Sequence, residues 1–320
     1  MHFLIALLVG AASAFAFEPT GLWPLMPIAL AILCEEISRA PSLRRALLIG
    51  WGFGVGQFCV GLNWIATAFT FQAAMPAWLG WVAVLLLSLY LAVYPMLAAG
   101  LAWRFGKERR LALVLALAGS WAITEWLRAT MFTGFAWNPV GVSLADTPWL
   151  SASQWTGTYS LSALVVLAGG LMWLAFRREA RPAMGIGAAL LAFALVPFAP
   201  LPPATNPRAI RIIQPNIGQG DKWRPGFAEE AERRLMALSI KPGGERPRLL
   251  FWPEAAVTEP LDDARGGGGD ALATTERVKA SAPVGEFEYL FTGGLGLESR
   301  DQRTVSGATN SVFVIGSGGS

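Results

Sequence analysis

The chain has 320 residues, 54% hydrophobic and only 15% charged, with 14 Trp and a mean hydropathy of +0.46. That balance excludes disorder, a disulfide scaffold and an ordinary cytosolic enzyme. Twenty-five Lys+Arg against 22 Asp+Glu leave a formal charge of +3, and the basic residues sit in short connections between apolar runs, so a pI near 9.1 does not point to nucleic acid.

Seven apolar runs are predicted as membrane spans, at roughly 3–17, 22–38, 46–69, 78–103, 111–128, 158–176 and 184–199. Several approach the ~20 residues that cross the hydrocarbon core as a helix. The first run could instead be a signal peptide, because Ala12-Ser13-Ala14 and Ala14-Phe15-Ala16 resemble cleavage sites. It lacks a basic leading segment, which favours an uncleaved helix. Loop charges test the count: Arg39, Arg44, Arg45, Arg104, Lys107, Arg109, Arg110, Arg177, Arg178 and Arg181 follow the even-numbered runs, and only Arg128 follows an odd one. The positive-inside rule then places the N-terminus in the cytoplasm and residues 205–320 on the outer, periplasmic side of a bacterial inner membrane. ATP and nicotinamide cofactors are lacking there, so no cofactor is expected.

The domain boundary falls in the proline-rich stretch 197–207, giving a helical membrane domain over 1–200, a linker over 201–208 and an outer domain over 209–320. The outer domain reads as α/β. Strands are expected at 209–216, 248–254, 288–292 and 311–315, with an amphipathic helix at 227–240 and a polar helix near 270–280. Gly266–Gly269 reads as a linker and Gly293-Gly294 as a loop, with a close-packed turn near Glu254 as the alternative.

Glu254 ends the apolar strand Leu249-Leu-Phe-Trp-Pro-Glu254, the position where α/β folds place reactive side chains. In a Trp/Phe-lined setting its charged form would be disfavoured, which suits a general base. An exposed turn glutamate is the alternative. Glu125 and Arg128 lie one turn apart in the fifth span, where ionisable groups are functional candidates by default or a simple i, i+3 ion pair. Glu35 and Glu36 sit at the cytoplasmic end of the second span and receive no chemistry. Cys34 and Cys59 lie inside apolar runs and read as buried hydrophobes. His2 is the only histidine, so metal centres and histidine-based triads are not expected.

Trp252-Pro-Glu-Ala-Ala-Val-Thr-Glu-Pro260, with Gln214-Pro-Asn-Ile-Gly-Gln-Gly-Asp-Lys-Trp223 before it, resembles the nitrilase-type domain of bacterial apolipoprotein N-acyltransferases. Gly61-Leu-Asn-Trp64, Trp121 with Glu125-Trp-Leu-Arg128, and Phe132-Thr-Gly-Phe-Ala-Trp-Asn-Pro139 are similar to that family's membrane segments. The resemblance covers nearly the whole chain.

It implies an αββα sandwich on a membrane domain of eight spans. It also implies a monomer carrying a Glu-Lys-Cys triad, whose cysteine takes an acyl chain from a phospholipid as a thioester. The acceptor is the N-terminal diacylglyceryl-cysteine of an apolipoprotein. A thioester keeps the energy of the ester, so the transfer needs no soluble cofactor. By the same resemblance Glu254 is the base and a lysine stabilises the oxyanion.

Trp223 and Trp137 would line the cleft by which lipid reaches the site; membership of the interfacial aromatic belt is the alternative. The family's lysine and cysteine lie beyond the Asn310-Ser311 strand, followed by the last span, and Lys222, Lys241 and Lys279 precede the expected place. The expectation is therefore of an incomplete sandwich without the eighth span, from a fragment or a truncated gene product, inactive by itself. A transporter, a non-catalytic lipid-binding relative and a periplasmic carbon-nitrogen hydrolase are the rival readings.

Overall fold

The computed structural model describes residues 1–71, 76–196, 208–218, 226–244, 246–254, 256–266 and 268–319. The chain divides into two compact units, Met1–Leu201 and Pro202–Ser320. The stretch 201–207 of the expected linker lies outside the described residues.

The first unit is helical. Its main helices are α1 (His2–Ser13), α2 (Leu25–Ser38), α3 (Leu43–Gly61), α4 (Trp78–Leu91), α5 (Val93–Gly106), α6 (Arg110–Thr130), α7 (Thr158–Phe176) and α8 (Ala180–Ala194). Three segments, Trp78–Gly106, Arg110–Thr130 and Thr158–Phe176, are long and apolar enough to cross a membrane; His2–Ala16 and Ala180–Ala194 are shorter apolar helices. The expected run 78–103 divides at Ala92 into α4 and α5, with Pro95 in the first turn of α5, where its missing N–H costs no helical hydrogen bond. The last run starts at Ala180 rather than 184 for the same reason, because Pro182 is tolerated in an opening turn.

The core gathers Met26, Leu30 and Leu33 of α2, Phe53 of α3, Leu117 and Trp121 of α6, and Val166 and Trp173 of α7. Trp78, Trp81, Leu85 and Leu86 of α4 are exposed instead, as on a helix that meets hydrocarbon. Helices α1 and α3 pack backbone to backbone: a Cβ on Gly10 would collide with the Phe53 carbonyl, and one on Gly56 with the Leu7 carbonyl. Small residues permit such close approach, which maximises dispersion contact where lipid offers no hydrophobic drive. The helix ends are tied by charge. Glu35 pairs with Arg39 and Arg177 and accepts the Trp173 ring N–H, while Glu36 meets His2 Nδ1.

The second unit is a mixed sheet with helices. Its elements are β1 (Ala209–Ile212), α9 (Phe227–Ile240), β2 (Arg248–Phe251), β3 (Asp262–Asp263), α10 (Gly269–Ser281), β4 (Tyr289–Glu298) and β5 (Gly307–Ile315). Strands β1, β2 and β4 run parallel, β3 joins β4 in parallel at Gly296 and Leu297, and β5 pairs antiparallel with β4 from Leu290 to Glu298. The expected strand 209–216 ends at Ile212 because Pro215 cannot donate to the ladder. The expected Gly293-Gly294 loop is corrected: both residues lie inside β4, held by pairing with Val312 and Ser311. Gly269 belongs to α10 rather than to a linker.

Register sorts the sheet into two faces. Leu250, Leu290 and Ile315 pack with Leu235 of α9 and Ala280 of α10 in one core. The opposite face carries Ile210, Ile212, Val312 and Val314, at 62%, 78%, 73% and 53% exposed. Both faces are therefore apolar, as in sheets buried on both sides, and only one is covered among the described residues.

Asp301 holds the β4–β5 hairpin. Its carboxylate accepts the backbone N–H groups of Thr304 at 2.8 Å and Arg303 at 2.9 Å, the Thr304 hydroxyl at 2.9 Å and the Ser299 hydroxyl at 3.2 Å. The Thr304 and Arg303 donors in particular hold this carboxyl well below the usual carboxylate range. A depressed native pKa stabilises fully above the unfolded value near 4 and loses its effect as pH falls below it. Asp301→Ala is expected to lower amide-exchange protection across residues 299–306. The wild-type hairpin should lose that extra protection below about pH 4; equal protection in both proteins at neutral pH would remove Asp301 from this role.

Candidate active site

Glu254 is positioned by the end of β2. The Trp252 N–H still bonds the Phe291 carbonyl at 2.9 Å, and Pro253 then ends the ladder by having no N–H to give. Glu254 thus stands beside the middle of β4, after β2 has stopped and before β3 begins. On the far edge of β4, Asn310 of β5 is registered opposite Leu295. Its Nδ2 donates to Glu254 Oε1 at 2.6 Å. Gly293 lies on the same face by strand alternation and has no side chain to stand between them.

The expected Trp/Phe enclosure of Glu254 is not what the described residues form. Trp252 turns into the core, 6% exposed, and its ring N–H donates to Ser239 Oγ of α9 at 2.9 Å. Alternation is the reason: the residue after Phe251 points to the helix side. Glu254 itself is exposed. The aromatic pair on its side of the sheet is Phe251 with Phe291, stacked at 4.8 Å between ring centroids. An amide that fixes one carboxylate oxygen orients the group, and an oriented, water-accessible carboxylate can take a proton.

Asn310 is the residue that sequence reasoning passed over as a strand marker. The available signal was a lone amide at period 2 with Val312 and Val314 on an apolar strand. Lys222 and Trp223 lie outside the described residues. Lys279 of α10 is held by Glu276 at 2.7 Å, and that partner raises its pKa. Cys34 is fully buried and Cys59 half-buried, both in the helical unit.

In the helical unit the three motif segments converge. Glu125 and Arg128 of α6 are 6% and 2% exposed; among the described residues no contact within 4.0 Å pairs their charged groups, and both reach to the segment 131–140. Glu125 Oε1 accepts the Trp121 ring N–H at 3.0 Å and the Val140 N–H at 2.8 Å. Arg128 donates to the Trp137 carbonyl at 2.7 Å and lies over the Phe58 ring at 5.0 Å. Asn138 Nδ2 donates to the Gly61 carbonyl at 3.1 Å. So braced, the segment presents Phe132 and Trp137 outward, at 82% and 60% exposed, with Trp137 edge-on to Trp64 at 5.6 Å. The two side chains thus do more than face each other across one helical turn, because each also bonds backbone of the segment 131–140. Burial makes each charge satisfy backbone groups that α6 cannot, and the pair positions the aromatic segment.

Residues 9–171 match the family model described as Apolipoprotein N-acyltransferase N-terminal domain. Among curated proteins, the apolipoprotein N-acyltransferase of Chromobacterium violaceum is 35% identical over 270 residues, covering 82% of this chain and 51% of its own. That of Ralstonia nicotianae is 34% identical over 266 residues, 81% of this chain and 50% of its own. That of Rhodopseudomonas palustris is 33% identical over 346 aligned positions, 99% of this chain and 62% of its own. The chain spans about half the length of the first two relatives.

Proposed function

Since the chain belongs to the apolipoprotein N-acyltransferase family, with that family's N-terminal domain matched over residues 9–171, we propose that the protein N-acylates the terminal diacylglyceryl-cysteine of apolipoproteins, drawing the acyl chain from a membrane phospholipid. The observation that carries this reading is Glu254, oriented by Asn310 at the end of a parallel strand, in a chain that also holds helices of membrane-crossing length and apolarity.

The chemistry follows from the groups involved. A cysteine thiolate attacks the phospholipid ester carbonyl, the C–O bond breaks, and a lysophospholipid leaves with its alcohol protonated. The α-amine of the acceptor then attacks the thioester, loses a proton and expels the thiolate. Glu254 is assigned the proton acceptances, first from the thiol and then from the attacking amine. Cys34 is buried and Cys59 half-buried within helices of the first unit, and neither is assigned a step in the transfer.

The proposed architecture is a membrane domain of seven crossings over 1–200, a linker over 201–208 and a nitrilase-like sandwich beginning at 209. The ten-to-one distribution of basic residues between alternate connections supports a cytoplasmic N-terminus and a periplasmic second unit. The uncovered apolar sheet face of Ile210, Ile212, Val312 and Val314 supports a second sheet layer there, as an αββα sandwich requires. Trp137 and Trp223 are assigned to lipid access, and the working form to a monomer.

The test is a transfer assay on the protein from its whole reading frame, with acyl-labelled phosphatidylethanolamine and a diacylglyceryl-cysteine peptide. Label is expected first on the protein as a hydroxylamine-labile adduct and then on the peptide amine. Label that reaches water but never the peptide would make the protein a lipid hydrolase and overturn the proposal.

A further inference from the structure

The helical unit holds a second feature that the acyl-transfer reading does not use. Helices α6 and α8 leave a groove of about 1210 Å³ between them, floored by α7. Its mouth lies at the helix ends, where Arg39, Lys107, Arg109, Arg110, Arg177 and Arg181 line it together with Glu108 and Glu179. Several of these cations are engaged. Glu35 holds Arg39 and Arg177, Glu179 holds Arg110, and Lys107 stands over the Trp103 ring at 4.7 Å. Arg109 and Arg181 are exposed and form no ion pair among the described residues.

Away from the mouth the walls change character. Leu111 and Leu115 of α6, Leu164 and Leu167 of α7, and Ile186 and Leu190 of α8 line the interior. The groove then runs into a second, almost wholly apolar cavity of about 200 Å³ that shares Leu164, Leu190 and Phe193 and reaches Trp23 and Trp149. At 1.5 Å per residue, the stretch from Leu167 of α7 to Arg177, the residue that caps it, covers about 15 Å. That is the hydrocarbon depth of one leaflet, half of the ~30 Å core.

We propose that this groove binds an anionic phospholipid, its headgroup phosphate at Arg109 and Arg181 and one acyl chain lying along α7 towards Leu164. Charge complementarity selects the headgroup: surplus guanidinium donors suit phosphate oxygens, and basic pockets between membrane helices take acidic lipids. The apolar length selects a lipid over a soluble phosphate, which would leave the interior walls in water. Every residue lining the groove belongs to the first unit.

The experiment is native mass spectrometry of the protein from its whole reading frame, released from micelles containing equal phosphatidylglycerol and phosphatidylcholine of identical acyl chains. Retention of phosphatidylglycerol about tenfold over phosphatidylcholine is expected. The double substitution Arg109→Gln with Arg181→Gln should remove that preference, and Ala189→Trp, which fills the groove, should reduce bound lipid of both kinds. Unchanged thermal unfolding midpoints would show that the variants fold. Equal retention of the two lipids by the wild type would overturn the proposal. So would displacement of phosphatidylglycerol by soluble glycerol phosphate at matching concentration, which would make the mouth a plain anion site. A dimer mass with no retained lipid would assign the groove to a second copy of the chain and overturn it equally.

Discussion

Glu254→Gln is expected to lower the rate of acyl transfer by about two to four orders of magnitude, the usual contribution of a positioned general base. Gln keeps the length of the side chain and an oxygen that can still accept the Asn310 amide, so the 2.6 Å hydrogen bond has a replacement while the basic site is lost. Glu254 is exposed, and surface changes away from buried features stay within about ±0.5 kcal/mol of stability. Expression and the unfolding midpoint should therefore not move. Asn310→Ala separates orientation from proton transfer: it should cost about tenfold in kcat while leaving KM in place, because it frees the carboxylate to rotate without removing it. Single-turnover measurement of both steps decides the matter. Thioester formation and transfer at wild-type rates in Glu254→Gln would remove this residue from the mechanism.

Arg128→Ala is expected to be the most destabilising single substitution in the braced segment, by about 3–5 kcal/mol, the range for breaking a buried charge arrangement from one side. Arg128 is 2% exposed. Its loss leaves the Trp137 carbonyl without its 2.7 Å donor and leaves Glu125 without the nearby positive charge, although Glu125 Oε2 already has no hydrogen-bond partner among the described residues. The segment 131–140 should then detach, and Trp137 fluorescence should become more accessible to an aqueous quencher. The double substitution Glu125→Ala with Arg128→Ala should cost less than the sum of the two singles, because it removes both charges at once. An unfolding midpoint in detergent that is unchanged by Arg128→Ala would show that the segment is held by packing alone.

The elements that sequence reasoning located were those whose pattern is complete within one window. Helix α9 has apolar residues at helical spacing with Glu229, Glu230, Arg233 and Arg234 outside, and it spans the expected 227–240. The apolar runs of the helical unit likewise announce themselves by composition. What escaped depends on neighbours remote in the chain. Gly293-Gly294 looks like a loop by propensity, yet ladder bonds to β5 on one edge and flanking parallel strands on the other hold it extended. The partnership of Glu254 with Asn310 joins residues 56 positions apart, which no local pattern encodes. Glu125 and Arg128 stand out in the sequence as ionisable groups inside an apolar run, and both are buried. Their actual partners, the Trp137 carbonyl and the Val140 N–H, are backbone groups whose positions follow only from the fold of the intervening segment.

The glycine contact between α1 and α3 bears on how the chain is made. Helix α1 is synthesised before the surface that receives it, at Phe53 and Gly56, which is not complete until Gly61 has emerged. At ~5–20 residues per second, the 48 residues from Ser13 to Gly61 take roughly two to ten seconds to synthesise. During that interval a helix of only 12 residues must wait at the translocon or the membrane surface without its partner. The close backbone fit that locks the finished pair is thus also a late step in biogenesis, and the length of the α2 hairpin between them sets the delay.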